Sequence, residues 1–369
     1  MTPADDPTED NLAASGEDGL VASVLARYGV PPGWVVVGPG DDAAVLDLQE
    51  AGRPGVGGLV VSTDTLVEGQ DFRRGWADGH DVGVKSAAQN FADVAAMGAV
   101  PRALVVSLAA PADLPTAWAR ALADGLAEEC RRAGAVVVGG DVSRAAEIVV
   151  TGTALGMLEG VAPVRRDGAR AGDVVALAGG TGSAAAGLAL LEAGVLETGV
   201  LETGVLQTGV LQAGVLQAGP GEQLARLVQG QLRPQPPYPA GPAAARAGAT
   251  SMIDVSDGLI RDAARLAVDS GAVLDLEPAA LTPSGALYRA AQWLADAGCD
   301  VDPDLPRRWV LTGGEDHALL ATFPLRAPLP DGFRAIGRVH APATGEPPGV
   351  RLAGVPWTGP TGWRHFSTP

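Results

Sequence analysis

Short apolar runs that lead directly into glycine, serine and acidic residues recur along this chain, as in VVVGGD at 136–141 and IDVSDG at 253–258. A run of this length predicts a strand, and the small and acidic residues after it predict a turn. Loops at strand ends commonly carry the functional groups of a protein. The pattern therefore favours a fold in which several strand ends carry carboxylates.

Strands and helices are interleaved in both halves of the chain. Strands are predicted at 34–37, 59–62, 103–108, 135–138, 148–151, 174–178, 251–253, 272–276, 319–323 and 334–339, and helices at 20–28, 80–97, 116–133, 183–193, 259–269 and 284–297. This order predicts an α/β or α+β fold.

The length of the chain, 369 residues, predicts two domains, because domains commonly contain about 100–200 residues. We place a disordered arm at 1–17, an N-terminal α/β domain at 18–165, and a C-terminal α/β domain at 166–369.

A tandem repeat at 194–219 consists of the units GVLET, GVLET, GVLQT, GVLQA and GVLQA. Five residues advance a helix by about 500°, so the Val-Leu pairs would rotate around it without forming one apolar face. A glycine in a helix interior costs up to about 1 kcal/mol. We interpret the repeat as a low-complexity insert without a catalytic role, followed by a rigid Pro-rich connector.

The chain is strongly acidic, with a net charge of −17 and a pI near 4.6. This charge disfavours nucleic acid and anionic membranes as partners.

No apolar run reaches transmembrane length, and the N-terminus, MTPADDPTED, lacks the apolar core of a secretory signal. We therefore expect a cytoplasmic protein. The four histidines form no zinc-binding pattern, and any metal is expected to be a hard, oxygen-bound ion such as Mg²⁺.

Two residue types are scarce. Lysine and arginine total 26, and Lys85 is the only lysine. Either this position needs a compact ammonium, or the single lysine reflects chance in the composition. If any side chain acts directly in catalysis, we expect it to be Lys85. Cys130 and Cys299 have no CxxC partner, which favours two free thiols in a reducing compartment.

Five of the acidic segments lie in predicted turns or at predicted strand ends. They are GPGDD at 38–42, STDT at 62–65, GGD at 139–141, IDVSDG at 253–258 and GGED at 313–316. Paired carboxylates cannot be buried together without a cation, and alternating carboxylate and hydroxyl oxygens suit a hard metal ion. Each segment alone is equally consistent with an acidic turn or a helix cap. Together they predict a phosphate site with several metal ions.

A sixth group of polar residues lies on the predicted helix at 80–97. Lys85, Gln89 and Asp93 follow one another at intervals of four residues and therefore share one face. Asn90 is the neighbour of Asp93 three residues before it. Such a stripe is either solvated or part of a site, and the apolar residues around it favour a site.

The familiar nucleotide-binding and nucleophile motifs are missing from the sequence. It contains no Walker A motif, no GxGxxG after a strand, no GxSxG and no HRD or DFG pair. The string GHDVGVKS at 79–86 has the wrong glycine spacing for a Walker A loop. Any nucleotide is therefore expected to be bound through acidic residues and metal ions.

Taken in order, these segments resemble the thiamine-monophosphate kinases of the aminoimidazole ribonucleotide synthetase-like superfamily. The resemblance runs from about Val35 to the C-terminus, interrupted by the repeat. It rests on the strings GPGDDAAVL, VSTDTLVEG, GVKSAAQNFADVAAMGA, VVGGDVSR, SAAAGLALL, LRPQPPY, MIDVSDGLIRDAARLA, LTGGEDHALL and WRHFSTP. It implies a two-domain fold and a homodimer in which the N-terminal sheets form a barrel. The implied reaction is the phosphorylation of thiamine phosphate by ATP with several Mg²⁺ ions, giving thiamine diphosphate.

The resemblance also implies roles for individual residues. Those implied as Mg²⁺ ligands are Asp42, Ser62, Thr63, Asp64, Asp93, Asp141, Asp254 and Asp257. Those implied as ATP contacts are Gly140, Asp141, Arg166 and Ser256, and those implied as contacts to thiamine phosphate are Asp71, Glu315 and Trp363.

Two positions depart from the pattern of that family. Asp71 stands where the family usually has His, and the segment Thr181–Ser183 lacks the acidic residue of the family string GDSAAGL. Two alternatives stay open beside the kinase. One is another ATP-using enzyme of the same superfamily, and the other is a non-catalytic relative that binds a nucleotide or cations.

Overall fold

The computed structural model describes residues 35–37, 41–47, 58–197 and 220–363. Within these residues, the strands form two sheets, one of six strands and one of seven. The arm predicted at 1–17, the helix predicted at 20–28 and the part of the repeat after residue 197 lie outside the described residues.

The first sheet is mixed and comes from the N-terminal part of the chain. Its strands are β1 (Val35–Val37), β2 (Ala44–Leu46), β3 (Leu59–Val67), β4 (Val100–Ala110), β5 (Val136–Arg144) and β6 (Val149–Met157). Their spatial order is β1-β2-β3-β6-β4-β5, and all neighbours are antiparallel except β4 and β5. The parallel pair β4 and β5 is joined through a helix, as parallel neighbours require.

The second sheet is also mixed. Its strands are β7 (Val174–Ala178), β8 (Ser251–Val255), β9 (Val273–Leu276), β10 (Ala318–Phe323), β11 (Phe333–His340), β12 (Gly349–Leu352) and β13 (Val355–Pro356). Their spatial order is β13-β12-β9-β11-β7-β10-β8, and only β9 and β12 are parallel. Both β8 and β10 are buried at every residue, which makes them part of the molecular core.

Eight α-helices lie in the described part of the chain. They are α1 (Gly79–Ala96), α2 (Thr116–Ala133), α3 (Ser183–Glu192), α4 (Pro220–Leu232), α5 (Ala240–Arg246), α6 (Leu259–Asp269), α7 (Gly285–Asp296) and α8 (Leu305–Thr312). Helices α1 and α2 pack side by side, as do α3 and α4. The mixed α/β fold confirms the predicted fold class.

Helix α1 lies between the two sheets. It begins with a capping box in which Asp78 and Asp81 each accept a hydrogen bond from the other's backbone N–H. It contacts β3, β4 and β6 of the first sheet and β8 and β10 of the second. Because 16 of its 18 residues are buried, the polar stripe that includes Lys85 and Gln89 is enclosed and not solvated.

Two predicted strand ends are wrong. Strand β3 continues to Val67 and pairs with β6 along its whole length, so the segment Ser62–Asp64 lies inside a strand. Strand β5 continues to Arg144 beside β4, so the segment Gly139–Asp141 is also within a strand. The polar residues did not end these strands because the neighbouring strands satisfy their backbone hydrogen bonds.

The sequence analysis missed six of the described strands and α-helices. These are β2, β12, β13, α4, α5 and α8. The predicted boundary between 165 and 166 falls in the segment that joins β6 to β7, and it stays a prediction. The described chain contains no helix that is both long enough and apolar enough to span a bilayer. Cys130 and Cys299 are both free, as predicted.

Candidate active site

A cleft of about 660 Å³ collects most of the residues predicted to be functional. Its lining includes residues from both sheets and from helix α1, and also Arg166, the first residue of the short 3-10 turn Arg166–Gly168. The predicted site residues that line it are Asp42, Ser62, Thr63, Asp64, Asp71, Lys85, Asp93, Arg166, Asp254, Ser256, Asp257, Glu315 and Trp363. Residues far apart in the sequence therefore share one space.

Gly140 and Asp141 are the predicted site residues outside this cleft. They lie on β5, which is exposed at every residue. The Asp141 carboxylate accepts a hydrogen bond of 2.8 Å from the Ser143 hydroxyl. A Cβ atom at residue 140 would lie only 1.9 Å from the carbonyl oxygen of Val106, so glycine here permits the close pairing of β5 with β4.

Four carboxylates from separate segments approach one another in the cleft. Burial, followed by the charges of Asp64, Asp254 and Asp42, raises the pKa of Asp93 well above its ordinary value. Ser62 donates a hydrogen bond of 2.6 Å to Asp93, which acts in the opposite direction. The repulsion among these carboxylates means that the group has a high affinity for protons or for cations.

Arg166 supplies part of the missing positive charge. Its Nε donates a hydrogen bond of 3.0 Å to Asp42 Oδ1, and its backbone N–H donates one of 3.2 Å to Asp41. Even so, burial raises the pKa of Asp42 to about 7, with the charge of Arg166 lowering it and that of Asp254 raising it. Arg166 therefore joins the first sheet to the segment that leads into the second.

The donor set suits a hard divalent cation. The buried Oδ2 atom of Asp42 has no hydrogen-bond partner, and the other oxygen is held by Arg166. Across the described residues, no three acidic, histidine or cysteine side chains converge closely enough to form a complete metal site. The clustered carboxylates and the unpartnered oxygen nevertheless match the oxygen ligands that Mg²⁺ prefers.

Strand β3 presents its predicted site residues on two faces, since side chains alternate along a strand. The Thr63 hydroxyl donates a hydrogen bond of 2.7 Å to the carbonyl of Gly152 and lies 3.1 Å from the Thr153 hydroxyl. The backbone N–H of Asp64 donates a hydrogen bond of 3.1 Å to the amide oxygen of Asn90. Ser62 and Asp64 therefore form hydrogen bonds with helix α1, whereas the Thr63 hydroxyl forms its hydrogen bond with the neighbouring strand β6.

An ion pair connects helix α1 to the glycine-rich turn before β10. Lys85 Nζ lies 2.8 Å from Glu315 Oε1, and Gln231 Nε2 donates a hydrogen bond of 2.6 Å to Glu315 Oε2. Burial would raise the pKa of Glu315, but the charge of Lys85 and the two hydrogen bonds outweigh it and lower the pKa. Glu315 is thus a stable anion at the cleft.

The same turn brings a histidine to Asp254. His317 Nδ1 lies 3.0 Å from Asp254 Oδ2, and both side chains are buried. Glu315 and His317 have φ angles of 65° and 51°, in the left-handed region that non-glycine residues seldom adopt. Their backbone N–H groups donate to the carbonyls of Ser256 and Val255, and these bonds hold the turn against the end of β8.

Asp257 lies where β8 leads into α6, beside two arginines. Arg265 Nη1 is 2.7 Å and Arg261 Nε is 3.1 Å from its Oδ2 atom. Its carbonyl accepts a hydrogen bond of 3.0 Å from the backbone N–H of Trp363. This bond fixes the backbone of Trp363 at the rim of the cleft, where its side chain is exposed.

Asp71, which stands in place of the family's usual His, closes the turn after β3. Its Oδ2 atom accepts a hydrogen bond of 2.7 Å from the backbone N–H of Val67. Its carbonyl oxygen accepts one of 3.1 Å from Lys85. Both Asp71 and the aromatic rings of Phe72 and Trp76 line the cleft.

The sequence analysis missed several residues that line this cleft, notably Gln231, His317 and Arg265. His317 had a local signal, because it directly follows the GGED segment and is one of only four histidines. Gln231 had none, because its position depends on the packing of α4 against α3.

Comparisons with known proteins identify relatives of this chain. The family described as "AIR synthase related protein, N-terminal domain" matches residues 40–158. Thiamine-monophosphate kinase of Mycobacterium tuberculosis is 44% identical over 346 residues, covering 94% of this chain and 90% of that one. The same enzyme of Corynebacterium glutamicum is 36% identical and covers 81% of this chain and 80% of its own.

A solved structure extends the similarity to the whole fold. AaThiL complexed with AMPPCP and TMP is 29% identical, with a TM-score of 0.75, and the match covers 96% of this chain and 99% of that one. The identity to the Mycobacterium tuberculosis protein holds over nearly the full length of both chains. The chain therefore belongs to the thiamine-monophosphate kinase family.

Proposed function

We propose that this protein transfers the γ-phosphoryl group of ATP to the phosphate of thiamine phosphate, giving ADP and thiamine diphosphate. The observation that carries the proposal is the single cleft in which Asp42, Asp64, Asp93 and Asp254 approach one another beside Arg166. The two substrates are inferred from the activity named for the family, and the similar AaThiL structure is a complex with AMPPCP and TMP.

The acceptor needs little chemical activation. The second pKa of a phosphate monoester is near 6, so thiamine phosphate is largely a dianion at pH 7. An oxygen of this phosphate forms a bond to the γ-phosphorus of ATP while the bond to the β-phosphate oxygen breaks and ADP leaves with the electron pair. No protein group has to remove a proton, and Lys85 needs no role as a base.

The main difficulty is the repulsion between two anionic substrates. We propose Asp42, Ser62, Thr63, Asp64, Asp93, Asp141, Asp254 and Asp257 as the residues that would hold several Mg²⁺ ions. Bound there, Mg²⁺ would neutralise phosphate charge and align donor with acceptor. Asp42, Asp64, Asp93 and Asp254 support this assignment through their proximity. Thr63 is supported less, because its hydroxyl already bonds across the sheet.

Contacts to ATP are proposed for Gly140, Asp141, Arg166 and Ser256. Arg166 can donate a fork of hydrogen bonds to phosphate oxygens. In this structure the same guanidinium pairs with Asp42, so a cation that took over Asp42 would release it for phosphate. Gly140 and Asp141 lie on the exposed strand β5, away from the cleft of one protomer.

The proposed ring-binding end of the cleft lies at Glu315, with Asp71 and Trp363. The thiazolium ring of thiamine phosphate is a cation, and a carboxylate or an aromatic face attracts it. Glu315 keeps its negative charge here, because the pKa of Glu315 is lowered by Lys85 and Gln231 despite burial.

We also propose a cytoplasmic homodimer in which the first sheets of two protomers form a barrel. The two domains would be divided near residue 165. Strand β5 supports the dimer, because it presents Val136, Val138 and Val142 to solvent at the edge of the first sheet. An exposed apolar edge strand invites pairing with another chain. Pairing there would bring the partner's copy of residues 140 and 141 into a shared interface.

An assay of ADP release tests the proposed function. With ATP and Mg²⁺ present, we expect release to depend on thiamine phosphate and thiamine diphosphate to form in equal amount. Replacement of Asp64 by Asn keeps the side-chain shape but removes a ligand charge, and we expect kcat to fall by about 100-fold or more. ATP-dependent binding without any product diphosphate would instead favour the non-catalytic relative.

A further inference from the structure

Lys85 is placed to connect three segments around the ring-binding end of the cleft. It is the only lysine of the chain and is 3% exposed, on the buried helix α1. Its ammonium contacts Glu315 Oε1 at 2.8 Å and the carbonyl oxygen of Asp71 at 3.1 Å. These contacts join α1 to the turn before β10 and to the turn after β3.

Glu315 is held at both carboxylate oxygens. Lys85 occupies Oε1, and Gln231, which is 6% exposed at the end of α4, donates to Oε2 at 2.6 Å. The backbone of Glu315 is held as well, since its N–H donates to the carbonyl of Ser256 at 2.7 Å and its φ is 65°. Lys85 and Gln231 therefore determine how this carboxylate is oriented.

The exposure of the ion pair is uneven. The Lys85 side chain is 4% exposed and the Glu315 side chain is 34% exposed, and Glu315 lines the cleft. A ligand in the cleft thus has far more access to the carboxylate than to the ammonium. The compact ammonium fits this enclosed position better than a planar guanidinium would, which gives the lone lysine a physical reason.

We propose that Lys85 and Gln231 are positioning residues that orient the Glu315 carboxylate so that it selects a cationic ring over a neutral ring of the same shape. The inference rests on the proposed function, because it takes thiamine phosphate as the ligand. The described contacts of the Lys85 and Gln231 side chains go to Glu315 and to the carbonyl of Asp71, and not to the carboxylates proposed to hold Mg²⁺. Their loss should therefore affect recognition of the ring far more than the transfer step.

The charge of Glu315 supports this arrangement. Burial alone would raise its pKa, and Lys85 and Gln231 reverse that effect. Without Lys85, the carboxylate would be expected to turn toward solvent or to bind a proton, because a partly buried charge that loses its ion-pair partner is destabilised. In either case it would no longer face the ring as an oriented anion.

The test compares two ligands on the same protein preparations. One is thiamine phosphate, and the other is an isosteric analogue in which carbon replaces the positively charged ring nitrogen. Binding of both is measured by calorimetry with Mg²⁺ and a non-hydrolysable ATP analogue present, for the wild-type chain and for Lys85→Met, Gln231→Met and Glu315→Gln. We expect the wild type to prefer the cation by about tenfold or more, as a charge-assisted contact allows.

All three substitutions should remove most of that preference. The double variant Lys85→Met with Glu315→Gln should lose no more than Glu315→Gln alone, because both changes remove one interaction. In kinetics, KM for thiamine phosphate should rise about tenfold, with kcat and KM for ATP changed by less than about threefold. Gln292→Met, at an exposed glutamine of α7 that bonds only to Asp296 in the described contacts, is the matched control and should change neither ratio.

Two outcomes would overturn the inference. Lys85→Met and Gln231→Met could keep the wild-type preference for the cation, or Lys85→Met could bind the cation more tightly, which would mean that the ammonium competes with the ring. A ratio of two affinities is insensitive to partial unfolding, so a destabilised variant still decides the question. Failure of the proposed function is recognised separately, as a wild-type chain that forms no thiamine diphosphate.

Discussion

Asp316, in the glycine-rich turn before β10, shows how one residue can support a distant element. Its two carboxylate oxygens accept hydrogen bonds from the backbone N–H groups of Gly182 and Ala184 at the start of α3. A carboxylate is favourable at a helix N-terminus. Asp316 thus does from a distant segment what a local N-cap would do in the Thr181–Ser183 segment, where the family string has its own acid.

The ionisation of Asp316 should make stability depend on pH. Burial raises its pKa from 3.8 to about 6, although the backbone hydrogen bonds lower it. Between these values the folded chain binds more protons than the unfolded chain, so stability contributed by this group is present at low pH and falls as pH rises. Because the carboxylate keeps some exposure, we expect a loss of roughly 2 kcal/mol between about pH 4 and pH 7.

Urea unfolding of the wild-type chain and of Asp316→Asn across this range measures the effect. The asparagine cannot ionise, so the unfolding free energy of the wild type minus that of Asp316→Asn should fall by roughly 2 kcal/mol between about pH 4 and pH 7. The comparison cancels the other carboxylates of the cleft. A difference that stays constant from pH 4 to pH 7 would contradict the raised pKa.

At the scale of elements, helices α1 and α2 pack unusually closely through glycines. A Cβ atom at Gly79 would lie 2.1 Å from the carbonyl oxygen of Trp118, and one at Gly125 would lie 2.1 Å from that of His80. Such distances leave no room for a side chain, so the helix backbones approach each other directly. This close packing helps to position α1 so that the side chains of Lys85 and Asp93 line the cleft.

Gly83→Ala tests the importance of this contact. The added Cβ would lie 2.3 Å from the carbonyl oxygen of Leu122, a backbone atom that cannot move alone. We expect α1 and α2 to separate, with a loss of about 1–3 kcal/mol in unfolding free energy measured by urea titration. Gly285→Ala is the matched control in a helix, because nothing lies within 4 Å of its Cβ position. Equal stability of both variants would show that the helices are not in contact at Gly83.

At the scale of the whole molecule, the first sheet has one enclosed face and an exposed apolar edge strand. Helix α1 covers one face, where Val150 and Ala154 of β6 are buried. Strand β5 at the edge leaves Val138 59% exposed and Val142 78% exposed. Apolar side chains in such a row favour association, because burying them removes apolar area from water.

Val138→Asp should therefore dissociate the proposed homodimer. A charge at this edge strand would be desolvated in the interface, whereas in the monomer it stays in water. We expect the wild-type chain to sediment with twice the protomer mass of 37.1 kDa and the variant to sediment as a monomer. Val268→Asp, equally exposed at 59% but on α6, should remain dimeric. A monomeric wild type at micromolar concentration would refute the proposed interface.

Local patterns in the sequence predicted much of the fold and the site. The apolar runs at 174–178 and 319–323 became β7 and β10, and the periodic segment at 116–133 became α2 with the predicted bounds. These predictions succeeded because hydrophobic periodicity is a property of neighbouring residues. The family resemblance was confirmed as well, since long ordered motifs carry it.

Other features depended on contacts between distant segments. The continuation of β3 to Val67 is determined by its pairing with β6, and no local sequence pattern within β3 predicts it. The position of Gln231 at the Glu315 carboxylate depends on how α4 packs after the repeat. Helix α4 itself was missed beside that repeat.

By itself, then, the sequence determined the chemical inventory: acidic segments at the ends of apolar runs, one lysine, and motifs that identify the family. Tertiary structure alone decided which of these side chains share a cleft and which, like Asp141 on β5, do not. The physical reason is that burial and charge coupling act through space. The pKa of Asp93 is raised first by burial and then by carboxylates that lie 29 or more positions away in the chain, at Asp64, Asp254 and Asp42.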